Sequence, residues 1–275
     1  MSVFYSEIAT KDEYKANIQK FWILNNIDNP LYTTPMYALP NGCCTIVFIS
    51  GNGVQLNYAG KEIELSAGIY LSGQITKRVA ISVKPFSKAI MAQVKPWLPP
   101  ILTNVSMNEL VDEVRSFEFI NRAIYRQLTD IDLADEQLVI DALYKALDSF
   151  PTVNDDSYFI QWACKRLQMS ASAPENIADI AVSSGYSQRR VEQKFKALIG
   201  FTAKELQSII QLRRLIDDLS TPNYDHLGVL AHRYGYYDQS HFIRSYQRII
   251  SETPSQFKTD DYLLPLTGNF DFLQS

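Results

Sequence analysis

Hydrophobic positions along this chain follow two different periods, and the change from one to the other divides it. Between Cys44 and Lys95 the apolar residues come in short runs: Cys44 to Ile49, Val54 to Tyr58, Glu62 to Leu65, Ile69 to Ser72, Arg78 to Val83 and Ala89 to Lys95. Gly51-Asn52-Gly53, Ala59-Gly60, Ala67-Gly68 and Pro85 separate them. Runs of this length bounded by glycine or proline predict strands, and several joined by tight turns predict a barrel or sandwich. Ahead of them, Thr10 with Glu13 has the form of a capping box, and Tyr14, Ile18 and Phe21 follow at helical spacing. That predicts a short first helix packed across the sheet. Beyond Pro96 the period becomes helical. A box at Ser106 and Glu109 predicts a helix over Asn108 to Gln127, and another covers Leu133 to Phe150. Pro151 to Asp156 then interrupts the pattern as a linker that ends in capping residues. The expected domains are therefore 1–150, β-rich with helices; 151–262, all-α; and a tail, 263–275.

Composition narrows the class. Of 275 residues 46% are apolar and 12% aromatic, so a packed core is available and wholesale disorder is excluded. Twenty-six basic against 30 acidic residues give −4, which argues against a polycation that coats nucleic acid or membrane. Residues 155–260, with 13 basic and 12 acidic side chains, are the less acidic part, so distribution rather than net charge must decide. Cys43, Cys44 and Cys164 make no disulfide framework and fit a reducing compartment. Met1 to Glu7 lacks the basic and apolar regions of a signal peptide, so the cytoplasm is the expected location. Asn29 to Gly60 is uncharged, but its longest apolar run, Cys43 to Ile49, suits a strand and not a membrane span. Residues 1–154 contain no histidine, so an imidazole-held metal lacks its ligands, and Cys43 with Cys44 cannot make a four-cysteine zinc site. Phosphate-loop, nucleophile-elbow and dinucleotide motifs are all missing. Neither enzyme activity, nor a cofactor, nor a metal is expected.

The second half contains an internal repeat. Ala181, Gly185 and Tyr186 recur fifty residues on as Ala231, Gly235 and Tyr236. After one inserted residue Ser187, Val191, Phe195, Ile199 and Thr202 match Asp238, Phe242, Tyr246, Ile250 and Thr253. Each copy reads as a helix, a glycine turn, and a capping residue that opens a second helix, the grammar of a helix-turn-helix. In that second helix Val191, Phe195, Leu198 and Ile199, and again Phe242, Tyr246, Ile249 and Ile250, form a core-facing stripe. The opposite stripes carry Arg189, Glu192, Gln193 and Lys196, and Ser240, Ile243, Arg244 and Gln247, with Gln188, Gln239 and His241 at the helix starts. Such side chains suit base edges: Arg forks onto guanine, Gln onto adenine, Glu accepts from cytosine, and an Ile tip touches a thymine methyl. Between the copies Thr202 and Glu205 open a helix over Ala203 to Leu219, about 25 Å long, able to space two units for adjacent turns of a duplex, about 34 Å apart. Ser172 with Glu175 is expected to open the first unit, and Thr253-Pro254 with Gln256 a final helix.

Gly235-Tyr236-Tyr237-Asp238-Gln239-Ser240-His241-Phe242, followed by Arg244 and by Thr253-Pro254, resembles the C-terminal signature of the AraC/XylS family of bacterial transcriptional regulators. The likeness runs over roughly residues 155–260 and includes Gly185-Tyr186-Ser187, Phe195, Gly200 and Arg213. It departs at Ser251, where the family often has Gly, and at Ile243, where a polar residue is common. Leu39-Pro40-Asn41-Gly42-Cys43, Gly73-Gln74 and Lys95-Pro96-Trp97 resemble a sensor-like domain found ahead of this module in one branch of the family. The resemblance implies an α+β protein: a β-barrel or cupin-like N-terminal domain with following helices that dimerise, then two helix-turn-helix units joined by a linker helix. It carries base-contact roles onto Arg189, Glu192, Gln193, Gln239, Ser240, Ile243 and Arg244, with Gln188 and His241 beside them. Arg190, Lys194, Lys196 and Arg248 are the expected phosphate contacts. The partners implied are double-stranded promoter or operator DNA, with RNA polymerase, a small-molecule effector and a second copy as further candidates.

Blander readings stand beside these. Glu192 could simply pair with Lys196 or Arg189 along its own helix. His241 could cap or pack, Tyr236 and Tyr237 could be wall and turn residues, and Arg213 and Arg214 could meet carboxylates within the protein. Cys43 and Cys44 are expected to fill the β core, pointing to opposite faces. The whole module could also be a small-molecule- or protein-binding domain that no longer binds DNA.

Overall fold

The computed structural model describes residues 4–58, 60–149, 155–168, 176–220 and 227–263. The strands are β1 (Phe4–Ala9), β2 (Ile18–Asn26), β3 (Met36–Ala38), β4 (Cys44–Ser50), β5 (Val54–Tyr58), β6 (Lys61–Leu65), β7 (Gly68–Ser72), β8 (Val79–Val83), β9 (Ser87–Val94) and β10 (Val114–Ser116). The helices are α1 (Pro99–Leu102), α2 (Phe117–Ile120), α3 (Arg122–Thr129), α4 (Glu136–Asp148), α5 (Asp155–Gln168), α6 (Ile177–Ser184), α7 (Gln188–Ile199), α8 (Ala203–Leu219), α9 (Leu227–Arg233) and α10 (Gln239–Ile250). The class is α+β, as the change of period predicts.

From β4 to β9 the chain changes sheet at every turn except the β5–β6 hairpin. A six-stranded sheet in the order β1-β2-β9-β4-β7-β10 therefore faces a four-stranded one in the order β3-β8-β5-β6. Hydrogen bonds do not run all the way round, so the β domain is two facing sheets and not one closed barrel. Trp22, Leu24, Val54, Leu56, Ile81 and Met91 fill the space between them. The outer face of the larger sheet buries Phe21, Ile23, Phe48, Leu71 and Ile90 against Ile124, Leu128, Val139 and Leu143 of α3 and α4. Full burial of such side chains contributes about 1.5–3 kcal/mol each. The turn between β4 and β5 requires glycine: Gly51 has φ 77°, and a Cβ there would lie 2.0 Å from the Phe86 carbonyl oxygen. Asn52 and Gly53 then donate their amides to Ser87 Oγ at 2.8 and 3.1 Å.

One expected helix is absent and a second is broken. Asp12–Tyr14 is only a 3₁₀ turn between β1 and β2, and Ile18 to Phe21 belongs to a strand. The pairing of β2 with β9 shifts register between Ile18 and Lys20, so Ile18 and Phe21, three apart, pack in the same core and mimic a helical spacing. The segment over 108–127 is the broken one. Ser106 caps nothing with its side chain, Met107–Leu110 is one 3₁₀ turn, and Asp112 takes φ 56°. Val114–Ser116 then pairs with β7, and Asn121 re-caps the chain through the amides of Ala123 and Ile124. Over 133–150 the expectation meets α4, capped by Asp135. The linker Pro151 to Asn154 and the C-terminal tail from residue 264 lie outside the described residues.

The helical half packs directly on the β half. Cys43 and Trp97 belong to the core formed by α5 to α8. Leu39 packs with Leu212, Leu215 and Ile216 of α8. At the end of α7, Gly200 adopts φ 91° and passes so close to Met107 and Val111 that a Cβ would lie 2.9 Å from atoms of each.

Candidate nucleic-acid interface

Both helix-turn-helix units are assembled by local caps. Asn176 accepts from the amides of Ala178 and Asp179 while Asp179 accepts from the Asn176 amide, and this box opens α6. The box expected at Ser172 and Glu175 lies outside the described residues. Gly185 ends α6 in the left-handed region, and Ser187 Oγ then accepts from Arg190 N at 3.3 Å to start α7. The second unit repeats the device: Gly235 has φ 75°, and Asp238 Oδ1 accepts from His241 N at 2.6 Å at the head of α10. Thr202 and Glu205 form the box that opens α8, whose bounds are those read from the sequence. Thr253 and Gln256 form theirs too, but they open only a 3₁₀ turn.

Val191, Phe195 and Ile199 of α7 are buried, as are Phe242, Tyr246, Ile249 and Ile250 of α10. Turned the other way, Gln188, Arg189, Arg190, Glu192, Gln193 and Lys196 are exposed on α7, and Gln239, Ser240, His241, Arg244 and Arg248 on α10. Arg189, Arg190, Arg244 and Arg248 form no ion pair among the described residues. Glu192 is not tied to Lys196, which instead donates to Glu205 Oε2 at 2.9 Å. Each unit therefore presents a polar face with uncommitted guanidinium groups.

Two expected roles change. Lys194 is 8% exposed; its ammonium is held by Asp156 and lies over the rings of Phe159 and Tyr186, so it braces α7 against α5 and is not offered to phosphate. Ile243 is half-buried and packs on the core of the second unit, which leaves little of it for a thymine methyl. Tyr236 and Tyr237 are the wall and turn residues expected: Tyr237 lies in the bend before α10, 90% exposed, and Tyr236 is buried, with its phenol pushed up to about 12 by burial. His241 is exposed with its ring edge-on to Tyr236 at 5.3 Å. Arg213 is buried in α8 and donates from Nε to Asp217 Oδ1 at 3.1 Å, an internal carboxylate partner. Cys43 and Cys44 do face opposite ways, one toward the helical core and one into the β core, and burial lifts the Cys43 thiol to about 12.

Sequence reasoning missed what fastens the second unit. Arg78 Nη1 donates to Glu252 Oε2 at 2.7 Å and to Tyr262 Oη at 2.8 Å, and its guanidinium lies 4.3 Å from the Tyr37 ring centroid. Tyr262 Oη donates in turn to Glu252 Oε1 at 2.6 Å. Two amides cross the same junction: Arg78 N to Ile249 O at 3.0 Å and Leu263 N to Tyr37 O at 2.9 Å. Ser251, where glycine would be usual in the resembling family, takes φ 63° at the end of α10 and turns the chain toward this cluster. These partners stand 174 and 184 positions apart, beyond any local pattern.

Between the two sheets lies a cavity of about 70 Å³, bounded mostly by apolar side chains including Trp22, Leu39, Cys43, Leu56, Tyr58 and Met91. Its wall is shared. Cys43 also packs in the core of the first unit, and Leu39 in the core that α8 shares with the second.

Residues 180–260 match the protein family described as "Helix-turn-helix domain", and residues 6–116 match "Domain of unknown function (DUF6597)". No curated protein matches the chain. Similar solved structures include ToxT from Vibrio cholerae, 12% identical, covering 86% of this chain and 95% of that one with a TM-score of 0.47. Unsaturated fatty acid bound wild-type ToxT from Vibrio cholerae strain SCE256 is 13% identical over 86% of this chain and 94% of that one, with a TM-score of 0.45. A probable AraC family transcriptional regulator from Rhodopseudomonas palustris CGA009 is 20% identical over 36% of this chain and 93% of that one, with a TM-score of 0.32.

Proposed function

We propose that the chain is a transcriptional regulator that reads a specific duplex sequence with both of its units: residues 180–260 match a helix-turn-helix domain, and residues 155–260 resemble the AraC/XylS signature. The observation that supports this most is the pair of exposed polar faces on α7 and α10, each held by its own capped turn and joined through one 17-residue helix. Arg189, Gln193, Gln239 and Arg244 take base edges, with Gln188, Glu192, Ser240 and His241 beside them, in two adjacent major-groove segments. Arg190, Lys196 and Arg248 neutralise phosphates and make affinity depend on salt. The cytoplasm is the proposed place of action; among the described residues no helix is long and apolar enough to cross a membrane.

Effector control enters through the β domain. The apolar cavity shares Leu39 and Cys43 with the cores of the helical half, so a ligand that repacks those side chains biases how the two units are presented. A second copy, joined through α3 and α4, would pair two such readers on one operator.

Selection of bound fragments from random duplex DNA tests the proposal. One enriched motif spanning about two helical turns is expected, and Arg189→Ala should cost about 1–3 kcal/mol while relaxing a single base position. No enrichment even at low salt would overturn it in favour of a module that binds small molecules or proteins.

A further inference from the structure

A groove of about 370 Å³ opens where three separate stretches of chain meet: the loop before β8, the first half of α8, and the end of α10. Lys77, Lys204 and Arg248 stand on its walls, one from each stretch. All three are exposed, and none makes an ion pair or side-chain hydrogen bond among the described residues. Lys11, Lys20, Lys61, Lys84 and Lys88 of the β half each meet a carboxylate, as expected in a chain with 30 acidic and 26 basic residues. The groove also holds Glu205, but its carboxylate is committed. It accepts from Thr202 N at 2.7 Å, Thr202 Oγ1 at 2.9 Å and Lys196 Nζ at 2.9 Å. Three positive charges with no ion-pair partner among the described residues therefore line one groove, beside a carboxylate that Lys196 already pairs.

The side chain from the β half is also pre-positioned. Thr76, on one side of Lys77, donates its amide and its hydroxyl to Asp112 at 2.7 and 2.6 Å. Arg78, on the other, is fixed through Ile249 O and Glu252. With both neighbours tied down, the Lys77 backbone is set at the mouth of the groove and only its side chain is free. Arg248 follows Arg244 by one turn on the same side of α10, and Lys204 stands next to Glu205, which holds Lys196 at the end of α7. The groove thus continues the exposed faces of both helices.

We propose that this groove is a phosphate site, and that it takes a backbone phosphate of the duplex between the two segments read by α7 and α10. Lys77 then makes the N-terminal domain part of the DNA complex, and the cost of leaving three cations unpaired in the free protein is offset on binding. The proposal rests on the DNA-reading function given above. A free phosphorylated small molecule presents the same oxyanion, and the test separates the two sources.

The full-length protein is titrated onto a mixed-sequence duplex at several salt concentrations, as wild type and as Lys77→Ala. The Lys77 side chain bonds to nothing within the described residues, so an unchanged Tm is the check that the variant folds. Loss of one phosphate contact lowers the slope of log affinity against log salt by about 0.9, so the affinity ratio between about 50 and 200 mM salt shrinks by about 3.5-fold. Lys204→Ala and Arg248→Ala should act likewise, Lys77→Arg should retain the slope, and none should change the selected sequence. In a second arm, inorganic phosphate at fixed ionic strength is added to the free proteins and Tm is followed. A phosphate-induced rise that Lys77→Ala abolishes, with the DNA slope unchanged, supports the site with a free phosphate as its source. A Lys77→Ala protein identical to wild type in both arms overturns the proposal. The DNA-reading function is judged separately by fragment selection and Arg189→Ala, so either reading can fail while the other stands.

Discussion

Replacing Arg78 by Ala should release the second helix-turn-helix unit from the β domain while leaving the sheets intact. The Arg78–Glu252 pair is 20% exposed on one side and 19% on the other. That places it between a solvated pair, worth about 0–1 kcal/mol, and a fully buried one, where removal of one partner costs about 3–5 kcal/mol. The cation–π contact with Tyr37 adds about 0.5–1 kcal/mol, and the hydrogen bond to Tyr262 falls with the same side chain. A loss of about 2–3 kcal/mol at the junction follows. The amides of Arg78 and Leu263, which donate across it to Ile249 O and Tyr37 O, report that loss locally. In Arg78→Ala the Leu263 amide should exchange with deuterium about 30- to 150-fold faster, since each 1.4 kcal/mol is a factor of ten. Amides in the β2–β9 pairing should keep their protection. Glu252→Gln alone should cost less, because its one amide oxygen can still accept from Arg78 while its amide nitrogen donates to Tyr262 Oη in place of the bond Tyr262 gave. A cycle combining Arg78→Ala with Glu252→Gln should show a coupling of about 1–2 kcal/mol. Coupling below about 0.3 kcal/mol, or accelerated exchange spread evenly over the β domain, would refute the view that this cluster fastens the second unit.

Lys194→Met should leave the salt slope of DNA binding as in wild type and change stability by less than about 1 kcal/mol, because the stem still packs and the Asp156 carboxylate left behind is half exposed. Arg190→Ala, one turn earlier, should lower that slope by about 0.9; equal slopes in both variants would show that the burial of Lys194 does not govern its role. Glu205 gives a pH signature. Desolvation raises its pKa, but the bonds from Thr202 and Lys196 outweigh this and hold it below the ordinary value of 4.5. A group depressed in the folded state stabilises above its unfolded pKa and loses that contribution as pH falls through the folded one. The Tm of wild type should therefore exceed that of Glu205→Gln near neutrality and the two should converge below the ordinary carboxylate range; a gap that persists in acid would contradict the assignment.

What was legible in the sequence was whatever is decided within one turn of a helix or one hairpin. Gly51 and Gly53 bound real strands because only glycine fits the turn they occupy, and Pro85 does fall between β8 and β9. The repeat around Gly185 and Gly235 located both units, and the box at Thr202 and Glu205 fixed the start of α8, because caps act on the amide two or three positions away. Misreadings fell where a distant partner overrides local preference. Val114–Ser116 stands in a polar, helix-compatible stretch, yet its backbone completes the edge of the larger sheet beside β7. Ile18 and Phe21 read as a helix face because the register shift in the β2–β9 pairing puts both against one core. Ser116 and Asn121 did carry a signal: each caps a new helical turn, which a single helix over 108–127 would leave unexplained. For Lys194, spacing alone shows its position on α7 but not that Asp156 on another helix claims its charge.

The spacing of the two units is set by more than the helix between them. α8 is fixed along its length by Leu39 against Leu212, Leu215 and Ile216. The end of α7 is seated by Gly200 against Met107 and Val111, and Ser106 Oγ donates to Ala197 O at 3.4 Å. The end of α10 is held by Arg78, Glu252 and Tyr262. A strut attached at its ends alone would let each unit pivot about its turn, whereas three separate seats on one β domain remove that freedom. Any change in the separation or tilt of α7 and α10 must then break one of these seats. The seats differ in strength: Gly200 is a steric fit that a single methyl group would spoil, while the Arg78 cluster is an electrostatic one that salt and charge substitution weaken. In the regulator proposed here, the second unit is therefore the one that re-orients first, and of the wall residues Leu39 acts on it directly, through the core it shares with α8 and α10, while Cys43 acts on the first unit.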